Sequence, residues 1–333
     1  MNLSVTASYE SIQAEPVMRR VALIYNPFSG QDSPRRKTAI DCALDMLSNA
    51  GIRAEAMVTD GPGSAGALAH EAILAGFDSI LACGGDGTVH EILQCLVGTE
   101  IRLGVLPLGT ANALAMNLGL GSDPVAAMKL LIHSVSIRVP VGQIFYSDDK
   151  GIQRASYFTV AAGVGADALF ISMLDARLKR RFGYFLYLLQ LVRVWATHSF
   201  PMFDATFFED EDGKQRVAQV SQLLAVRIRD FGGALRYLAP GASLRNERLT
   251  LLAFKTRSRF HFLLFLLAVL CGKQTFLKEV ELLDVSTVEC SVPKGSNAKV
   301  LVEADGELLG SLPARIQIIP DALTLLVPAD AQP

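Results

Sequence analysis

The sequence predicts a doubly wound α/β unit over residues 18–138 and a mostly antiparallel, β-rich unit over residues 139–328. The C-terminal end has room to return and pack on the first unit. Three observations lead there. Up to about residue 135, short apolar runs alternate with helical patterns across short connections, the signature of a parallel sheet covered on both faces. Beyond it, strand-sized segments dominate, punctuated by Gly, Pro, Asp and Asn. Half of the 333 residues are apolar and 19% are charged, so a large core can form and a disordered chain is excluded.

Residues 21–25 (VALIY) form a first strand, ended by Asn26, Pro27, Ser29 and Gly30. Ser33 followed by Pro34 starts a helix, because a hydroxyl caps it and proline gives up an N–H that has no helical partner. Ile40, Ala43, Leu44 and Leu47 share one face of that helix, and Gly51 closes it. A strand over 52–58, a helix from Ser64 to about residue 75 and a strand over 79–83 follow. Gly84-Gly85-Asp86-Gly87-Thr88 then leads into a helix marked by Val89, Ile92, Leu93 and Leu96. A strand over 101–106 ends at Pro107; Gly109-Thr110 and Asp123-Pro124 each open a further helix.

In the second unit, strands are expected over 139–145, 157–162, 205–208, 222–227, 249–254, 280–285, 298–302 and 315–319. Helices are expected over about 168–197 and 257–271, a loop over 143–151 and a turn over 209–213. The longest apolar run, 260–271, has 12 residues, whereas a membrane span needs ~20. It therefore reads as a core helix or as one touching a membrane surface.

Charge is uneven. Residues 1–143 carry 9 Lys/Arg and 13 Asp/Glu, whereas residues 177–278 carry 17 and 7. A basic, apolar stretch suits an anionic membrane or a phosphate-rich ligand, unless it is only a solvated face. The five cysteines are scattered without a CxxC pair, so neither a zinc site nor a redox motif is indicated. Residues 1–16 lack a basic segment followed by an apolar one. The expectation is a cytoplasmic protein, peripherally associated with the inner face of the membrane.

Three polar loops follow strands: 26–30, 84–88 and 108–112. In open α/β sheets such loops converge on one crevice at the carboxyl ends of the strands. GGDGT offers glycines for close approach and a helix N-terminus for phosphate. Asp86 would repel that phosphate unless a cation lies between them, which suggests Mg²⁺–nucleotide. Ser29, Thr88 and Thr110 add hydroxyls, and Asn26 and Asn112 add amides. Neither a P-loop nor a GxGxxG fingerprint is present. Near the C-terminus a strand runs into Asp305-Gly306-Glu307, which is either a hairpin turn or the source of a general base. Two residues apart in an extended segment, Asp305 and Glu307 would share a face.

Together these residues resemble the diacylglycerol kinase catalytic-domain family in its compact bacterial lipid-kinase form, to which sphingosine and ceramide kinases are similar. The matching runs are LIYNPFSG (23–30), VTDGPGSA (58–65), ACGGDGTVHEIL (82–93), GVLPLGTANALA (104–115), VAAGVGADA (160–168), LKRRFGYFLYLL (178–189) and VEADGE (302–307). GGDGT alone is shared with phosphofructokinases and NAD kinases. The resemblance implies a phosphofructokinase/NAD-kinase-like first domain that binds ATP, a second domain for the lipid, and a cleft between them. Asn26, Pro27, Phe28, Ser29, Gly30, Thr59, Gly84, Gly85, Asp86, Gly87, Thr88, Thr110 and Asn112 would line the nucleotide site. Asp86 would hold Mg²⁺–ATP; Glu307 matches the general base, with Asp305 its neighbour.

Two departures stand out. Asn112 is followed by Ala113-Leu114-Ala115 where the family often has an acidic residue. In the stretch matching a structural metal loop, Glu247 falls at the carboxylate position, but Arg248 replaces a glycine and Thr250 an acid. A guanidinium could neutralise Glu247 there without Mg²⁺. The implied partners are a lipid substrate and an anionic membrane surface, with no nucleic acid, and a homodimer stays open. The acceptor would be diacylglycerol or a sphingoid or ceramide-like lipid. Alternatives are a soluble-substrate kinase of the NAD-kinase type and a non-catalytic nucleotide- or lipid-sensing protein.

Overall fold

The computed structural model describes residues 17–27, 33–166, 168, 196, 199–208, 215–231, 238–270, 272–273 and 277–331. Phe28, Ser29 and Gly30, nearly all of the helix expected over 168–197, and the turn expected over 209–213 lie outside the described residues.

The first unit runs β1 (Arg20–Tyr25), α1 (Ser33–Asn49), β2 (Arg53–Val58), α2 (Ser64–Leu74), β3 (Ser79–Gly84), α3 (Asp86–Leu96), β4 (Arg102–Pro107), α4 (Ala113–Asn117) and α5 (Pro124–Ile132). Strands β2, β1, β3 and β4 lie side by side in that order, all parallel. Right-handed crossovers in this order put α1 on one face and α2 and α3 on the other. Accordingly α1 packs with α5, and α2 with α3. Gly104 in β4 leaves space for a neighbour: a methyl group there would lie 2.4 Å from Leu81 Cδ2. Asp123 accepts a hydrogen bond from Val125 N (3.0 Å) and Pro124 opens α5, as the sequence predicts.

The second unit contains β5 (Val135–Ser147), β6 (Gln153–Phe158), β7 (Ala161–Gly165), β8 (Phe203–Phe208), β9 (Gln215–Val220), β10 (Gln222–Val226), β11 (Leu249–Phe254), α6 (Arg259–Leu270), β12 (Val280–Val285), β13 (Thr287–Ser291), β14 (Leu301–Ala304) and β15 (Glu307–Val327). Pairing within it is antiparallel. The long β15 leaves β14 through the Asp305-Gly306 turn, crosses the second unit beside β5, and ends parallel to β4, pairing Thr324 with Arg102. One sheet thus runs β12-β11-β10-β7-β14-β15-β4-β3-β1-β2 among the described residues.

Four expectations need correction. Residues 143–147 are strand, not loop, and the turn is confined to 148–151, where Asp148 Oδ1 accepts from the N–H groups of Lys150 and Ile152. The polar residues there bond sideways, Gln143 with Gln317 and Ser147 with Gln153, rather than marking a turn. The strand expected over 157–162 is split, because the N–H groups of Thr159, Val160 and Ala161 turn to the Asp305 carboxylate. The last short strand begins at Leu301, not at residue 298. Strands β9 and β13 were not expected at all.

The sheet separates two cores. Along β7, β10 and β11, Ala161, Leu224, Val226, Leu252 and Phe254 face the core shared with the first unit and α6. Their neighbours Ala162, Val164, Leu223, Ala225, Leu251 and Ala253 face a second core, filled by Phe158, Phe203 and Phe207. Period-two alternation sorts these side chains between the two faces.

Candidate functional site

The strand-end loops converge. Asn26 follows β1, takes a backbone bond from its own N–H to Cys83 O (3.1 Å), and its Nδ2 donates to Thr88 Oγ1 (3.4 Å). The buried Arg36 of α1 donates to Pro27 O (2.6 Å) and holds that loop. Thr59, buried after β2, donates its N–H to Tyr25 O (2.9 Å). Leu108 N–H donates to Gly84 O (3.0 Å), so the turns after β3 and β4 are tied together.

The two turns touch backbone to backbone. A methyl group on Gly109 would lie 2.4 Å from Gly85 Cα and 2.8 Å from Asn112 Oδ1. One on Gly84 would strike Thr88 Oγ1 at 2.3 Å. Glycine is required at both places for packing, not for an unusual φ. Asn112 does adopt a left-handed φ of 50° and braces its own turn: its Oδ1 accepts from Gly109 N and its Nδ2 donates to Gly109 O. Thr110 is exposed at the lip.

Gly85 is the N-cap of α3 and Asp86 and Gly87 its first residues. The first N–H groups of a helix lack intrahelical partners and carry the positive end of its dipole. With glycine on both sides, this turn fits a phosphate chain. Asp86 Oδ1 accepts from Ala113 N (2.8 Å) and so caps α4 from the neighbouring turn. The carboxylate the sequence marks for Mg²⁺ therefore also positions the 109–112 loop.

The Asp305–Glu307 turn comes to this place from the other unit. A methyl group on Gly87 would lie 2.9 Å from Glu307 Oε1, so the Glu307 carboxylate sits against the GGDGT turn. Asp305 points elsewhere. Its φ of 50° and that of 85° at Gly306 break the extended backbone, so the two acids do not share a face as their spacing predicts. The Asp305 side chain is 3% exposed and accepts from the N–H groups of Thr159 (2.9 Å), Val160 (2.8 Å) and Ala161 (3.1 Å). Gly306 N–H donates to the buried Glu303 (2.9 Å). Asp305 and Glu303 thus build the turn that presents Glu307.

His90, one helical turn into α3, is buried against the same turn. Its Nδ1 lies 3.6 Å from Asp305 Oδ2, an ion-pair distance, and its Nε2 lies 3.3 Å from Ser156 Oγ. Burial opposes the imidazolium, whereas Asp305, Glu307 and Glu91 favour it, and the net effect raises the pKa above the ordinary histidine value. Glu91 itself caps α2, accepting from Gly63 N (2.8 Å) and Ala65 N (3.0 Å). In the sequence His90 stands only as one residue of the run 82–93. Its partner is more than 200 residues away, and no local signal announces it.

Two more fastenings escaped the sequence. Asn117 ends α4, accepts from Arg229 N (3.1 Å) and Asp230 N (3.0 Å), and donates to Ala113 O (2.9 Å) and Asp230 O (2.5 Å). It clasps the segment after β10 to the nucleotide-side loop. The buried guanidinium of Arg227 donates to four carbonyls, those of Pro140, Leu244, Asn246 and Arg248. Burial pushes its pKa down to about 10, still a cation at neutral pH. Glu247 is exposed in this loop, and the carbonyls on either side of it are already gathered by Arg227.

Comparison with known proteins bears on the family and the fold. A profile of the diacylglycerol kinase catalytic domain matches residues 20–144, and one of the YegS C-terminal NAD kinase beta sandwich-like domain matches residues 159–327. A diacylglycerol kinase of Mycobacterium tuberculosis (strain ATCC 25618 / H37Rv) is 29% identical over 317 residues, spanning 93% of this chain and 95% of its own length. That of Bacillus subtilis (strain 168) is 29% identical over 300 residues, spanning 89% and 92%. The crystal structure of a candidate diacylglycerol kinase from Bacillus anthracis str. Sterne shares the fold, with a TM-score of 0.74 at 21% identity over 97% of this chain and 100% of that one.

Proposed function

Because the chain belongs to the diacylglycerol kinase catalytic-domain family and is a kinase acting on a hydroxyl group, we propose that it phosphorylates the hydroxyl of a membrane lipid, diacylglycerol first among candidates. Relatives named diacylglycerol kinase, aligned over nearly the whole chain, support that acceptor. The observation that carries the reading is Glu307 Oε1 lying against Gly87, which brings an acceptor-side carboxylate to a phosphate-binding turn.

ATP with Mg²⁺ would supply the phosphoryl group. The N-terminus of α3, Thr88 and the loop of Asn112 would hold its phosphates, and Asp86 would hold the metal, whose charge would offset theirs. Glu307 accepts the proton of the lipid hydroxyl as its oxygen bonds to the γ-phosphorus and the bridging P–O bond to the β-phosphate breaks, ADP being the leaving group. Asp305 is a positioning residue, its carboxylate being committed to three backbone amides.

The test is phosphate transfer from labelled ATP to a panel of detergent-dispersed diacylglycerol, ceramide, sphingosine and NAD. Label on diacylglycerol is expected, and label on NAD alone overturns the reading. Glu307→Gln should lose at least about a hundredfold in turnover with its melting temperature kept, since a positioned base contributes ~10²–10⁴-fold. Asp305→Ala should instead destabilise the fold by ~3 kcal/mol or more, three buried donors losing their acceptor. Normal turnover in Glu307→Gln removes that residue from the mechanism.

A further inference from the structure

Helix α6 (Arg259–Leu270) is apolar on both sides. Its inner stripe, Phe262, Phe265 and Val269, is buried. Phe265 meets Phe254 edge-on at 4.3 Å between ring centres, and Phe262 lies 5.1 Å from Phe200. Its outer stripe is Phe260, Leu263, Leu264 and Leu267, which are 66%, 40%, 36% and 53% exposed. Their spacing is that of a single helical face. A core helix presents polar side chains to water, and a contiguous apolar stripe left outside marks an interaction surface.

Charge says what covers it. From Phe260 to Leu270 the only titratable side chain is His261, which faces Glu279 at 3.3 Å. Exposed cations flank both ends, Arg257 and Arg259 before the helix face and Lys273 and Lys278 after it. Lys255 and Arg216 are engaged by Glu281. An apolar stripe between cations matches the acyl boundary and anionic headgroups of a bilayer. A second copy of the chain fits poorly, because pairing this face with itself, parallel or antiparallel, sets cations against cations. Twelve residues of helix reach about 18 Å, short of the ~30 Å hydrocarbon core, so the helix lies in the interface and does not cross it.

We propose that the outer face of α6 docks the enzyme on an anionic membrane, burying Phe260, Leu263, Leu264 and Leu267 among the lipids. The inference rests on the lipid-kinase reading above, which supplies the reason to approach a bilayer. It adds the surface that does so.

The experiment is flotation of the full chain with phosphatidylcholine vesicles, with and without phosphatidylglycerol, beside turnover on detergent-dispersed diacylglycerol. Wild type should float with the anionic vesicles and release as salt rises, since screening shortens to ~3 Å at 1 M. The double variant Leu263→Glu, Leu267→Glu should lose at least about tenfold in vesicle affinity. Its turnover on dispersed lipid should stay within about twofold, the smaller of the effects read here as a change in rate. Phe260→Ser, at the most exposed position, serves as a second and milder variant should the double variant fail to fold. Flotation of these variants equal to wild type overturns the docking surface. So does a dimer that the same substitutions convert to monomers, which would assign the face to a second copy. Failure of wild type to phosphorylate any dispersed lipid overturns the kinase reading, while the flotation comparison still decides the docking.

Discussion

At His90 the two halves of the site meet through one imidazole. The ring sits in α3, behind the phosphate-binding turn, and faces Asp305, which shapes the turn of Glu307. Its pKa is raised in the folded protein, so its favourable interaction is fully present below the unfolded value of ~6.5 and is lost as pH rises through the folded pKa. Replacing His90 by Gln keeps a donor but removes the titration. The melting-temperature deficit of His90→Gln relative to wild type should therefore be larger at acid pH and shrink as pH climbs above the ordinary histidine range. A deficit that does not change with pH would show that folding leaves the imidazole pKa unshifted. Asp305 and Ser156 lie against the ring, Glu307 and Glu91 act on it through their charge, and only the acids favour the imidazolium.

At the scale of turns and strands, the site depends on two loops touching at glycine. Gly109→Ala would push a methyl group into Gly85 Cα at 2.4 Å, backbone against backbone, where no side chain can yield. Gly85→Ala meets Gly109 Cα at 3.3 Å and is the milder change. Overpacking of this kind costs about 1–3 kcal/mol, or about fivefold to 150-fold in a binding constant. Titration calorimetry with ATP should show Gly109→Ala weakened by that amount and Gly85→Ala by less. The reverse order would mean the loops move apart freely. These loops are legible in sequence because the requirement is local: strand, glycine, hydroxyl or amide, helix. The parallel strands β1, β3 and β4 are legible for the same reason, each being an apolar run with a sharp stop, whereas β2 (RAEAMV) at the edge carries Arg53 and Glu55. By contrast β9 (QRVAQV) and β13 (TVECS) mix small and polar residues, and what makes them strands is their partners, β8 and β15. The part of Asp305 is equally hidden: its three donors stand about 145 residues away in a bend that only the tertiary fold creates.

Over the whole molecule, the two units are joined by more than a linker. Asn117 clasps Arg229 and Asp230, the segment leaving β10, while Asp86 fixes the other end of α4 to the GGDGT turn. In Asn117→Ala the Asp86 cap remains, so the nucleotide side should keep its geometry and the acceptor side should drift. The KM for dispersed lipid is expected to rise roughly fivefold, ~1 kcal/mol, with the KM for ATP changed by less than about twofold. Equal rises in both would place the clasp wholly on the nucleotide side.

The long β15 is the other join, and it bears on how the chain is made. While the first unit leaves the ribosome, β4 has β3 on one side and nothing on the other, because its partner at Thr324 and Leu325 lies more than 200 residues downstream. An apolar strand with an open edge is a template for pairing with other chains. Until synthesis reaches that strand, the nascent protein carries an adhesive seam, so a holdase or a brisk passage through translation should govern its yield. Lowering the expression temperature should therefore raise the soluble fraction more for a version cut before residue 320 than for the full chain.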